Sequence, residues 1–193
     1  MTRRSIAGIA CLLLAAGAFA QPATFTYRDP ASGLVIDLPA AWERTDPDAV
    51  KKDMIASRER FGGPAAAEAV RQHTFVLFVM LARPYEGPAR NRPMLSCVAT
   101  DAPPGSRADQ MGNILDRAIQ STFGRFERDA VISKPERFEI SGREAYRATI
   151  EAKDASYRFV KLLQGDRMID CTAAASGPHL ETVERALASM KFE

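Results

Sequence analysis

The apolar positions of this chain change their period along its length, and each change predicts an element. Ser5–Ala20 is an almost unbroken apolar run behind Arg3 and Arg4. Two short β-rich runs follow, Phe25–Asp29 and Leu34–Pro39, around a turn at Ser32-Gly33. Asp46-Pro47 predicts a helix start, because Asp accepts from the free N–H groups of a first turn and Pro fits there. Val50, Met54 and Phe61 share one side of that helix, and Gly62-Gly63 stops it. His73–Ala82 is apolar without alternation, the pattern of a central strand covered on both faces. After a proline-rich loop and the strand holding Cys97, Ser106 and Asp109 predict a capping-box-like helix start. Met111, Leu115, Ala118 and Thr122 then recur at helical spacing.

The C-terminal half predicts a meander. The run ending at Ile140 meets the run from Arg143 across Ser141-Gly142, and further strands follow Lys153-Asp154 and Gly165-Asp166. Tyr146, Ala148 and Ile150 share one strand face, while Arg143, Arg147 and Glu151 share the other. A closing helix carries Leu180, Val183, Leu187 and Met190 on one stripe. Together these elements predict an α+β fold, a mainly antiparallel β-sheet flanked by helices as an α/β/α sandwich. A weak internal repeat runs through it: strands, then a strand with Met-x-x-Cys (Met94–Cys97 and Met168–Cys171), then an amphipathic helix.

The apolar run at the N-terminus also sets an expected compartment. Two arginines, a short apolar core and Ala18-Phe19-Ala20 make the three parts of a secretory signal, so residues 1–20 are expected to be cut off after Ala20 and the product to be periplasmic. Residues 21–193 then form one domain. Cys11 lies ahead of the apolar core without the leucine expected before a lipidated cysteine. No later run approaches the roughly 20 apolar residues that span a bilayer, so no stable membrane span is expected after cleavage.

Charge and cysteine count change with that cut. The chain has 26 Lys+Arg against 24 Asp+Glu, and only Arg3 and Arg4 leave with the signal, so the remainder balances at 24 against 24. Such a balance supplies no bulk attraction to nucleic acid or an anionic membrane. Three cysteines fall to two, Cys97 and Cys171, in a compartment where paired thiols become disulfides. Period-two alternation puts Cys97 with Leu95 and Ala99, and Cys171 with Ile169 and Ala173, so both point into apolar surroundings. A redox pair would want exposure and nearby basic groups. A structural disulfide and two buried free thiols are the readings left, and export favours the disulfide.

At its two ends the chain resembles the PsbP/DcrB-like family of exported bacterial proteins. Tyr27–Trp42, with an aromatic, a polar turn containing Gly, a short strand and then Pro and Trp, is similar to the family's opening. Phe138–Ala152 resembles its strand–Gly–strand hairpin, and Leu180–Phe192 its closing helix and aromatic tail. The resemblance implies a fold, an antiparallel sheet sandwiched by helices, and an accessory, assembly or binding role without a shared active site. No cofactor or metal ligand set carries over.

The chemistry-bearing motifs point the same way. The sequence contains no Gly-x-Ser-x-Gly, no phosphate-binding glycine loop, no HExxH and no CxxC. His73 and His179 are the two histidines; each reads as a structural residue, at a strand start and a helix start. The expected protein is therefore a non-catalytic accessory factor that engages another protein, as assembly factor or inhibitor. The Arg83–Pro93 loop is the expected contact, through Arg83, Tyr85, Arg90 and Arg92, because a proline-stiffened loop presenting arginine and tyrosine suits recognition. Arg143, Arg147 and Lys161 form a second candidate row on one sheet face, and Trp42 reads as a core anchor. The alternatives are a small-molecule carrier with an apolar pocket between sheet and helix, and a hydrolase whose site has no recognised motif.

Overall fold

Turn chemistry and alternation build the larger sheet. The computed structural model describes residues 23–123 and 129–193; the expected signal, residues 1–20, lies outside the described residues. In chain order the strands are β1 (Thr24–Arg28), β2 (Leu34–Pro39), β3 (Glu43–Thr45), β4 (Thr74–Leu81), β5 (Met94–Asp101), β6 (Val131–Ile132), β7 (Glu136–Ile140), β8 (Arg143–Glu151), β9 (Ser156–Gln164), β10 (Arg167–Ala175) and β11 (Lys191–Phe192). The helices are α1 (Pro47–His73), α2 (Met111–Thr122) and α3 (Pro178–Ala188). Ser141 and Gly142, with φ of 52° and 74°, turn β7 into β8. Gly165, φ 62°, turns β9 into β10. These are the turns the sequence predicts, and they work because Gly occupies positive φ at little cost.

An eight-stranded sheet has the order β3-β4-β5-β10-β9-β8-β6, with β7 also paired to β8, and a three-stranded sheet has the order β1-β2-β11. All the pairings are antiparallel. One face of the large sheet carries the main core. Leu95, Cys97, Ala99, Leu162, Ile169 and Ala173 there meet Val183 and Ala186 of α3 and Leu34, Ile36 and Leu38 of the small sheet. On the other face α2 lies over β8 and β9, where Leu115 and Ile119 pack on Ala148, Ile150 and Phe159. The α+β sandwich is the architecture expected. Trp42 is a core residue, 5.8 Å edge-on to His179.

Several local expectations are corrected. The apolar run of β4 lacks alternation because of a register shift between Val76 and Phe78. Phe75 is paired with Ala99 before the shift, and Phe78 with Cys97 after it, so an extra residue moves the core-facing parity from odd to even. Val76, Val79 and Leu81 are only half-buried, so β4 is not covered equally on both faces. His73 does not open the strand; it ends α1, its Nδ1 2.9 Å from Asp101 of β5.

Asp46 caps α1 as expected, accepting from the Asp48 N–H at 3.1 Å with Pro47 in the first turn. Gly63, φ 79°, breaks the helix, but Pro64 starts a second helical stretch that runs on to β4. Proline tolerates that position because a first turn has no use for its N–H. Val50, Met54 and Phe61 do share a side, yet they line an open surface groove, and Phe61 is 82% exposed. The helix buries Ala67 instead.

α2 begins later than predicted, after a 3-10 turn at Ala108–Gln110. The Ser106 hydroxyl donates to the Pro103 carbonyl rather than capping the helix, and the Arg107 N–H donates to the Gln110 side chain at 3.2 Å. Its packed stripe is Met111, Gly112, Leu115 and Ile119, while Ala118 and Thr122 face water. Gly112 lets α2 approach β8 closely: a Cβ there would lie 2.7 Å from the Tyr146 ring.

The Met-x-x-Cys echo has a spatial counterpart. Cys97 and Cys171 are directly opposed on β5 and β10, so Met94 pairs with Ala174 and Met168 with Thr100, symmetrically about the cysteines. The symmetry ends at the helices. α2 follows β5 onto one face of the sheet, whereas α3 follows β10 onto the other, and a two-fold axis through the cysteine pair would keep both on one face.

Candidate interaction surfaces

The expected contact loop is built on a single carboxylate. Glu43 of β3 accepts from Arg83 at 2.8 Å and from Arg92 at 3.1 Å, so one side chain holds both roots of the loop. Arg92 also donates through Nε to the Ala82 carbonyl at 2.9 Å, and the Ala82 N–H donates to the Pro93 carbonyl at 2.9 Å. Tyr85 folds back over Gly87, where a Cβ would sit 2.3 Å from its hydroxyl oxygen and would push the ring aside. Pro84, Glu86, Pro88 and Ala89 are left exposed.

Of the four residues expected to make contact, Arg83 remains exposed beside its glutamate, Tyr85 is half-buried, and Arg92 is largely turned into the protein. The side chain of Arg90 lies outside the described residues. Sequence reasoning missed Glu43. Its one available signal was an acidic residue directly after Trp42 on a short strand, too common a pattern to single out.

The second candidate row does not form. Lys161 is paired with Tyr146 across β8 and β9, whereas Arg147 is paired with Val160, so Lys161 points to the opposite face from Arg143 and Arg147. Lys161 is 5% exposed and ion-paired with Asp170 of β10. A lysine that deep needs such a partner.

The arginine face instead borders a groove between α3 and strands β7, β8 and β9, with a volume of about 460 Å³. Phe138, Val160, Leu187 and Ala188 give it apolar walls and floor. At one side the Arg147 guanidinium lies 5.4 Å from the Phe138 ring centre and meets Glu136 at 3.0 Å. At the other, Arg158 is held between Glu151 at 2.7 Å and Glu184 at 2.8 Å, its side chain only 15% exposed. A sheet-to-helix groove of this size lies within the range of small-molecule sites.

Cys97 and Cys171 lie at disulfide distance with Cα atoms 4.1 Å apart, 0% and 1% exposed in the main core. That depth is the one the alternation predicts. Two tyrosines titrate above their usual range: burial raises Tyr27, and the hydrogen bond Tyr146 donates to Glu144 at 2.5 Å raises Tyr146. The Glu193 carboxyl is held below the usual range by its hydrogen bond from Arg28. Among the described residues no group of three or more His, Cys, Asp or Glu side chains could hold a metal ion, and no helix is long and apolar enough to cross a membrane.

No family model and no curated protein matches the chain. Among solved structures, the fold is similar to cyanobacterial PsbP (CyanoP) from Synechocystis sp. PCC 6803, with a TM-score of 0.54 and 14% identity over 94% of this chain and 99% of that one. A protein of Bacteroides thetaiotaomicron VPI-5482 aligns with a TM-score of 0.41 and 9% identity, over 87% of this chain and 48% of that one. The fold is PsbP-like, as the ends of the sequence led one to expect.

Proposed function

We propose that this protein is a non-catalytic, periplasmic accessory factor that binds another protein, as assembly factor or inhibitor, through the Arg83–Pro93 loop. The observation that carries this reading is the clamp of Arg83 and Arg92 on Glu43. It holds an exposed loop in one shape, and a contact ordered before binding loses less entropy when a partner arrives. The full-length likeness to a PsbP fold supports an accessory role, and the cysteine pair at disulfide distance supports export.

The contact set remains Arg83, Tyr85, Arg90 and Arg92, but the four differ in what their loss tests. Arg83 and Arg92 also hold the loop through Glu43, so Arg83→Ala or Arg92→Ala is expected to lower stability as well as binding. The decisive variant is Tyr85→Ala with Arg90→Ala. Tagged protein expressed with its own signal should capture one stoichiometric periplasmic protein, and the double variant should lose it with little change in melting temperature. Retained capture removes the loop from the proposal. Protein found only in the cytoplasm removes the compartment.

The groove beside α3 favours a second reading, a carrier of small molecules. An apolar ligand that survives purification, detected by native mass spectrometry, would support it.

A further inference from the structure

We propose that the groove between α3 and β7–β9 binds an amphiphilic carboxylate, its chain along Val160 and Leu187 and its head group on Arg147. The inference rests on the carrier reading and adds the ligand's chemistry to it.

The apolar lining calls for hydrocarbon, and the charges decide which head group goes with it. Arg158 is already committed: its side chain is 15% exposed and it joins Glu151 and Glu184. Drawing either glutamate toward a bound cation would leave a largely buried guanidinium short of a partner, which is costly. Arg147 is placed differently. Its guanidinium lies against the Phe138 ring in the wall of the groove, while its partner Glu136 belongs to an exposed stretch of β7. Both side chains are more than half exposed, at 55% and 65%, and such surface pairs contribute little to stability.

The cation is therefore set into the lining and its counter-charge is easily displaced. A ligand carboxylate anchored by its chain can replace Glu136 on Arg147, keeping the planar fork geometry that guanidinium offers to carboxylates. Glu136 then turns into water at small cost.

Octanoate and octan-1-ol, which share a chain length and differ in charge, separate the two parts of the idea. Each is titrated into ¹⁵N-labelled protein while amide shifts are followed. Octanoate is expected to bind saturably, with shifts centred on Arg147, Val160 and Leu187, and about tenfold more tightly than the alcohol. Arg147→Gln should bring octanoate down to the level of the alcohol. Glu136→Gln should act the other way and tighten octanoate, because it releases Arg147. Melting temperatures of both variants should stay close to the parent's, since the pair is exposed.

Octanoate binding no better than octan-1-ol, or unmoved by both substitutions, overturns the carboxylate while leaving a carrier groove. If neither probe shifts the groove amides, the carrier reading falls with it.

Discussion

Reducing the Cys97–Cys171 pair is expected to cost this protein a large share of its stability. The cysteines are separated by 74 positions, and the chain-entropy relation for a closed loop of that length gives about 15 cal/mol/K, or about 4.5 kcal/mol at 25 °C. Both residues are buried, with Cα atoms 4.1 Å apart between strands that are hydrogen-bonded along their length, so reduction opens no cavity, although the two thiols must turn apart to reach van der Waals separation. Reduction frees the unfolded chain, and any crowding of the two thiols in the core adds to the loss. At about 2–4 °C per kcal/mol for a domain of this size, the melting temperature should fall by about 9–18 °C. The assay compares protein purified without reductant against protein unfolded, reduced and refolded in reductant. Intact mass should show two fewer hydrogens in the first sample and two alkylatable thiols in the second. Equal melting temperatures with those masses would refute the entropic reasoning. Free thiols in the first sample would refute the bridge itself.

Three further predictions concern single sites. Gly33 has φ of 72°, and a Cβ there would meet the Glu193 carbonyl oxygen at 2.6 Å, so Gly33→Ala should destabilise by about 1–3 kcal/mol in urea unfolding. Asp170→Asn leaves the buried Lys161 without its counter-charge and should cost about 2 kcal/mol, while Lys161→Met should cost less, because it removes the charge that needs solvation. Glu193 has a folded pKa below its unfolded value, so its contribution is present above the unfolded pKa and lost as pH falls through the folded one. Glu193→Gln should accordingly lower the melting temperature slightly at neutral pH and converge with the parent in acid; a constant gap at every pH would contradict the Arg28 pair as its source.

What could be read from the sequence was local or periodic. The turns at Ser141-Gly142 and Gly165-Asp166 were legible because the residues that make them are adjacent and glycine accepts their backbone angles. The depth of both cysteines followed from period-two alternation within single strands. Whatever depended on the alignment of one strand with another was not legible. Arg147 and Lys161 looked like neighbours until the β8–β9 register set them on opposite faces. The extra residue near Val76 left no local sign beyond a missing alternation, which a doubly covered strand would share. The ends of the chain signalled the fold correctly, but neither the Glu43 clamp nor the α3 groove could be seen. Each is assembled from residues far apart in sequence: Glu43 with Arg83 and Arg92, and Phe138 with Val160 and Leu187.

The Glu43 clamp has a second consequence, at the rim of the large sheet. β3 is only three residues long and is the outermost strand beside β4, covering Val79 to Leu81. An apolar strand with an open edge is a template on which other chains can add, and natural proteins guard such edges with short strands and charge. Here the two arginines that grip Glu43 keep the short strand seated as a guard rail. Glu43→Ala would loosen it and bare the rim of β4, so the damage would surface in concentrated solution as self-association, ahead of any loss of fold.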